Sequence, residues 1–369
     1  MEKSKKTNNS RIIDKKWKEI FEYYSILESI EENGSFTITS SEINKFKEAR
    51  LMTKFDHTHN LPDLFLKNDL AILPTKRGTY TIGKYDAYMK LQNSIKAETK
   101  VIPFPSWLET IKPKELFSEA SVINCAYTIG MLNDLIEDEV LMPTVSGRMS
   151  TKEFEFKIKN STNSAYENLE VKNSQCEIDG GFESTNKFLM IEAKNTLAKD
   201  FIIRQLYYPY RLWSTKIKKE VIPIYLTYSN DTFSFYIYKF LDPMDYNSIV
   251  LEKQINYIIE EDSITFAEVE KLLYETKIVH EPKFPFPQAD RMERVIDLLS
   301  LLVQGPLTIE EISTNYAFNQ RQAYYYSSAG MYLGLIKREK EGLICLTSKG
   351  EKIMSSTSKK NIYLLQNVF

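Results

Sequence analysis

Residues 176–195 read CEIDGGFESTNKFLMIEAKN and put Asp179 on one apolar stretch and Glu192 and Lys194 on the next. A buried charge costs several kcal/mol unless it is paired or holds a metal. Successive side chains alternate across a strand. Gln175, Glu177 and Asp179 therefore share one face of the first strand, and Phe188, Met190, Glu192 and Lys194 share one face of the second. Ile191 and Ala193 point the other way. A turn around Gly180 and Gly181 would let Asp179 and Glu192 converge on one point. Two carboxylates with a backbone carbonyl and waters suit Mg2+, which prefers oxygen ligands and keeps several waters. A lysine beside the metal can orient or deprotonate an attacking water, whose pKa the metal lowers. A surface hairpin with an ordinary Lys–Glu pair would explain the same letters. Against that, FLMI runs into Glu192 without alternation, so the strand reads as buried on both faces and its charged end needs a reason.

The elements that must position these residues can be read from periodicity. Residues 11–32 carry Trp17, Ile20, Phe21, Tyr24, Leu27 and Ile30 at helical spacing, and the Asn-Gly-Ser at 33–35 ends the pattern. SFTITSSEINKF reads as a short strand and a second helix, with Ser40 or Ser41 as N-cap. LAILPTKRGTYTIGKYDAY alternates like a β-ribbon with Lys76, Arg77 and Gly78 at its turn. The reading continues with a helix over 116–139 and strands at 154–158, 175–179 and 187–194, the Asn/Ser-rich 159–174 between the first two being a loop by composition. A helix follows Asp200, and strands follow at 221–228 and 233–240. This order predicts an α/β chain with a mixed sheet. HEPKFPFPQ at 280–288 reads as a linker, and beyond it three helices and a hairpin give the pattern of a winged helix-turn-helix. The expected domains are an α+β unit at 1–105, a core at 106–279 and a winged-helix unit at 280–369.

Composition narrows the class. A chain of 369 residues is long enough for two or three domains. The net charge of −2 gives no global basic signature, although 48 Lys and Arg leave room for a local basic face. Three cysteines far apart make neither a disulfide framework nor a thiolate zinc site. His57 and His59 sit two apart with no cysteine near, which favours a solvated loop over zinc. The polar start and the absence of a signal peptide or an 18-residue apolar run lead to the expectation of a cytoplasmic protein without a membrane partner.

With EID followed by IEAK, the chain resembles the PD-(D/E)xK nuclease superfamily, with Asp179, Glu192 and Lys194 as its motif residues and Ile178 where the nominal proline would stand. RQLYYPYRLW is similar to the glutamine- and tyrosine-bearing helix beside the active site of many such nucleases. With the C-terminal pattern, the whole resembles a type II restriction endonuclease, the core resemblance covering roughly 115–240. The resemblance implies Mg2+-dependent hydrolysis of a phosphodiester in double-stranded DNA. Asp179, Glu192 and the Ala193 carbonyl would ligate the metal, Lys194 would position the water, and Glu119 would be an extra ligand. Glu177 would join a second metal or hold Lys194, and Gln205 would orient the site or touch a phosphate.

Base contacts are expected from Gln320, Arg321, Gln322 and Tyr324 at the N-terminal end of the presumed recognition helix, and DNA contacts also from Lys76 and Arg77. KEARLMTKFDH at 47–57 reads like an ordered recognition segment. A palindromic site would favour a homodimer. A repair or recombination nuclease of the same superfamily, or a non-catalytic winged-helix regulator, are the competing readings.

Overall fold

A computed structural model describes residues 8–91, 97–138, 140–196, 199–260, 266–275, 280–282, 287–315, 320–339 and 342–355. Its centre is a seven-stranded mixed sheet. Across it lie Glu98–Ile102, Ile249–Ile259, Thr232–Phe240, Glu220–Ser229, Lys187–Lys194, Gln175–Glu183 and Met142–Ser150. The strand Lys187–Lys194 pairs antiparallel with Gln175–Glu183 and parallel with Glu220–Ser229. The parallel step is bridged by the helix Arg204–Ser214, as a parallel crossover requires.

Lys187–Lys194 is buried on both faces, as its unbroken apolar run predicts. Phe188 and Met190 pack toward Trp213 of the crossover helix, while Leu189, Ile191 and Ala193 pack on the opposite face with Ile123 and Ala126 of the helix Glu119–Thr128. The four residues from Phe188 to Ile191 are at most 2% exposed. Burial of one such side chain contributes about 1.5–3 kcal/mol, which fixes this strand at the centre of the fold. Glu119 sits in the first turn of its helix, whose N-cap is Ser118, bonded reciprocally with Ser121.

A five-stranded sheet stands beside the central one, in the order Ser35–Thr39, Thr79–Gly83, Ala71–Lys76, Tyr166–Lys172, Glu153–Lys159. Two expectations fail here. The 154–158 strand belongs to this second sheet, and Tyr166–Lys172, read as loop, is its hairpin partner. The composition was misleading because only alternate residues turn inward: Leu169 and Val171 pack in while Tyr166, Asn168 and Glu170 face solvent. Likewise Glu98–Ile102, expected in the first unit, is an edge strand of the central sheet, parallel to Ile249–Ile259.

Smaller differences have local causes. The first helix divides into Asn8–Tyr24 and Ile26–Asn33 because Ser25 adopts a left-handed conformation. The helix read over 116–139 divides at Gly130, φ 83°. The N-cap after the first strand is Thr39, which shares a capping box with Glu42, instead of Ser40 or Ser41. The ribbon Ala71–Lys76 and Thr79–Gly83 forms as read, with Gly78 at φ 73° in its turn.

The C-terminal unit packs Met292–Leu302, Ile309–Asn315 and Gln320–Tyr332 around their own core, followed by the hairpin Ile336–Arg338 and Ile344–Leu346. It docks on the central unit through Ser229 Oγ, which donates to Asp297 Oδ1 at 2.8 Å, and through Gln304 Nε2, which donates to the Phe117 carbonyl at 2.8 Å. Within the expected linker, residues 283–286 lie outside the described part. No helix among the described residues is long and apolar enough to cross a membrane.

Gly180 and Gly181 lie within a strand, and the chain turns instead at 184–186. A Cβ on Gly181 would stand 2.8 Å from the Val145 carbonyl and 3.2 Å from the Phe188 ring. Both obstacles are held in the sheet. Gly181→Ala is therefore expected to destabilise the protein by about 1–3 kcal/mol, the usual cost of overpacking. An unchanged urea-unfolding midpoint would show that the Val145 strand yields freely.

Candidate active site

The ladder between Gln175–Glu183 and Lys187–Lys194 runs from Glu183 opposite Phe188 to Gly180 opposite Ile191, and there it ends. The next two residues in register are Asp179 and Glu192. Where the strands part, the Asp179 carboxylate replaces the backbone partner and accepts from the Ala193 amide at 2.8 Å. The parting opens the floor of a cleft under the two acids.

Glu192 is 7% exposed. Its Oε1 accepts from Lys194 Nζ at 2.5 Å and from Gln205 Nε2 on the crossover helix. Lys194 also donates to the Ala193 carbonyl at 3.1 Å and lies 3.5 Å from Glu119 Oε1. One lysine thus faces several carboxylates in a poorly hydrated place. Burial lifts the Glu192 carboxyl to about 8, against the pull of Lys194. Burial raises Asp179 and Glu119 too, with Lys194 again opposing. On Lys194 burial works against the charge, but Glu192 and Glu119 outweigh it and hold the ammonium well above its usual range.

If Asp179, Glu192 and Glu119 all ionise, Lys194 cancels one of three negative charges. The pocket is then short of positive charge by about what a divalent cation carries. The donors suit such a cation: carboxylates of Asp179 and Glu192 and the carbonyl of Ala193 are hard oxygens on one short stretch of two strands. Among the described residues no three of His, Cys, Asp and Glu form a group that could hold a metal ion, so the chain would offer two carboxylates and a carbonyl at most. A metal here would keep open positions for water, as Mg2+ does. Glu119 is placed beside Lys194.

The cluster opens into a cleft of about 780 Å3 between the two sheets. Lys76 and Arg77, from the ribbon turn, line the same cleft as Asp179, Glu192 and Lys194. Glu177 also lines it, but its exposed carboxylate pairs with Arg148 at 3.3 Å and does not hold Lys194. Arg321, Gln322 and Tyr324 line neither this cleft nor its neighbour on the C-terminal side. Arg321 Nε donates to the Tyr325 hydroxyl, and its guanidinium lies over that ring at 5.2 Å. Tyr324 is exposed, Gln322 is half-buried, and the Gln320 side chain lies outside the described part.

Two residues of the site were not singled out individually, although both lie in the segment 47–57 read as a recognition segment. Lys54 and Asp56, 4.0 Å apart, enter from the N-terminal unit. The Lys54 charge favours ionised Glu119 and Asp179, while that of Asp56 favours protonated Glu192 and charged Lys194. Lys54 and Asp56 stand on either side of the buried anchor Phe55. His57 was misjudged. It is buried, and its Nδ1 meets the Asp200 carbonyl at 2.5 Å, tying this segment to the start of the crossover.

Removing one partner of a buried ion pair strands the other. Lys194→Met is expected to lower unfolding stability by on the order of 3 kcal/mol. Adding Glu192→Gln to it should restore most of the loss, because the stranded carboxylate is gone. A double variant no more stable than the single one would refute this pairing.

Family models for domains of unknown function match three consecutive stretches of the chain: DUF6996 at 14–82, DUF6997 at 83–258 and DUF7226 at 294–369. No curated protein matches the chain, and no solved structure does.

Proposed function

We propose that the chain is a Mg2+-dependent, sequence-specific endonuclease of double-stranded DNA, built on a PD-(D/E)xK core with a C-terminal winged helix, in the manner of a type II restriction enzyme. The observation that carries this reading is the convergence of Asp179, Glu192, the Ala193 carbonyl and Lys194 where two paired strands part. Gln205 supports it by clamping Glu192 from the crossover helix.

Asp179, Glu192 and the Ala193 carbonyl would hold the metal. Bound there, Mg2+ would neutralise charge on the phosphodiester and acidify a water. The chain's own residues do the rest. The Ala193 amide fixes Asp179, and Gln205 and Lys194 fix Glu192, so the donor oxygens are set before substrate arrives. Lys194, beside Glu192 and the Ala193 carbonyl, would orient or deprotonate the attacking water. The buried aliphatic wall of Leu189, Ile191 and Ala193 keeps the site rigid. One such site cuts one strand at a time, so a palindromic target would favour a homodimer that presents two.

The test is incubation with supercoiled plasmid and Mg2+. Discrete fragments that vanish with EDTA and in Asp179→Asn are expected. Smearing would favour a repair nuclease, and an inert wild type a binding protein. Cleavage at the wild-type rate by Asp179→Asn would sink the assignment. Lys194→Arg keeps the charge but replaces a compact ammonium by a planar fork. It is expected to lose at least about a hundredfold in single-turnover cleavage, on the scale of one proton-handling group. A loss of only a few-fold would leave Lys194 as a counter-charge.

A further inference from the structure

The cations of the main cleft sort into two sets. Lys54 has Asp56 at 4.0 Å, and Arg148 has Glu177 at 3.3 Å. Arg50, Lys76, Arg77 and Arg204 line the cleft, yet none of the four makes an ion pair with any described residue. Arg50, Lys76 and Arg77 are exposed, and Arg204 is half-buried. Arg204 occupies the first turn of its helix, which holds no acidic residue. A cation there has the wrong sign for the helix dipole, so its place in the fold is electrostatically unfavourable until an anion arrives. Four cations without acids beside a carboxylate cluster fit a ligand that carries repeated negative charges across the cleft.

The N-terminal wall also has the right shape. Ala71–Lys76 and Thr79–Gly83 are inner strands of the five-stranded sheet, and their turn presents Lys76 and Arg77 at its edge, with Gly78 at φ 73° making the tight reversal. Long side chains on such an exposed turn can reach into the major groove of a DNA duplex, where arginine bonds the edge of guanine in bidentate fashion. Arg321 of the C-terminal unit, by contrast, is engaged by Tyr325 and stands outside the cleft.

We infer that duplex DNA is gripped and read by the N-terminal wall: Arg50 and Arg204 hold backbone phosphates, and Arg77 on the ribbon turn reads a base next to the scissile bond. This inference rests on the nuclease reading for the position of that bond, but binding alone can test it. The measurement is the affinity of the full chain, in EDTA, for a fluorescein-labelled duplex bearing the sequence it selects from a random library, taken across a salt series. Arg50→Ala and Arg204→Ala should weaken binding to selected and unselected duplexes alike. Each should lower the slope of log affinity against log salt by about one. Arg77→Ala should lose about tenfold or more on the selected sequence and change what the library yields. Arg321→Ala should change none of these. Arg204→Gln and an unfolding midpoint for each variant control for misfolding, and Arg50, exposed on the surface, decides alone if Arg204 variants fail to fold. Unchanged affinity, slope and selection in the Arg50 and Arg77 variants would overturn the inference. So would weakening by Arg321→Ala alone, or preference for an RNA duplex. A wild type that binds as described but never cuts would sink the nuclease reading and leave the grip standing.

Discussion

The structure is organised around a carboxyl group that water hardly reaches. Glu192 lies two residues before the end of a strand buried on both faces, and Lys194, Gln205 and the parting of the neighbouring strand make its position tolerable. Desolvating a carboxylate is far costlier than one hydrogen bond repays. The surroundings must therefore be fixed to within a bond's reach. The crossover helix has to place Gln205, and the helix Glu119–Thr128 has to place its first-turn acid beside Lys194. The sheet supplies the rigidity and the two helices supply the partners.

The same constraint explains why the N-terminal unit is fastened so firmly to the central one. Asp200, at the start of the crossover, accepts from Thr58 N at 3.1 Å and lies 3.6 Å from His57 Nδ1, while Ile202 N donates to the Asp56 carbonyl at 2.9 Å. Farther along, buried Arg211 of the crossover helix donates to the Glu155 carbonyl at 2.9 Å and stacks on Phe154, both in the second sheet. These bonds hold Lys54 and Asp56 against the carboxylates. They also join the stretches that the family models divide at 82–83. The hairpin 153–172 belongs by sequence to the middle stretch and by hydrogen bonding to the second sheet, through Lys76 opposite Lys172. The cleft is thus walled by one continuous body, so its two sides keep a fixed spacing.

The C-terminal unit is attached more sparingly. Ser229 reaches the buried Asp297, whose carboxyl burial pushes up to about 7 despite the bonds from Ser229. A second, smaller cleft of about 590 Å3 lies between this unit and the central one, and Lys194 and Glu119 border both clefts. The lysine therefore stands at the junction of two approaches, with the basic wall on one side only.

The sequence by itself determined the short-range features. The apolar run of Lys187–Lys194, the ribbon at 71–83 and the positions of Asp179, Glu192 and Lys194 follow from side-chain periodicity, which is set by backbone geometry within a few residues. Tertiary structure decided what depends on partners distant in the chain. It moved 153–172 to the second sheet, made Glu98–Ile102 an edge of the first, buried His57 against Asp200 and turned Glu177 to Arg148. It also brought Lys54, from a segment more than a hundred residues away, to the acids. Such pairings are chosen by which apolar faces must be covered and which charges must be matched once the sheet is assembled, and neither is written in local spacing.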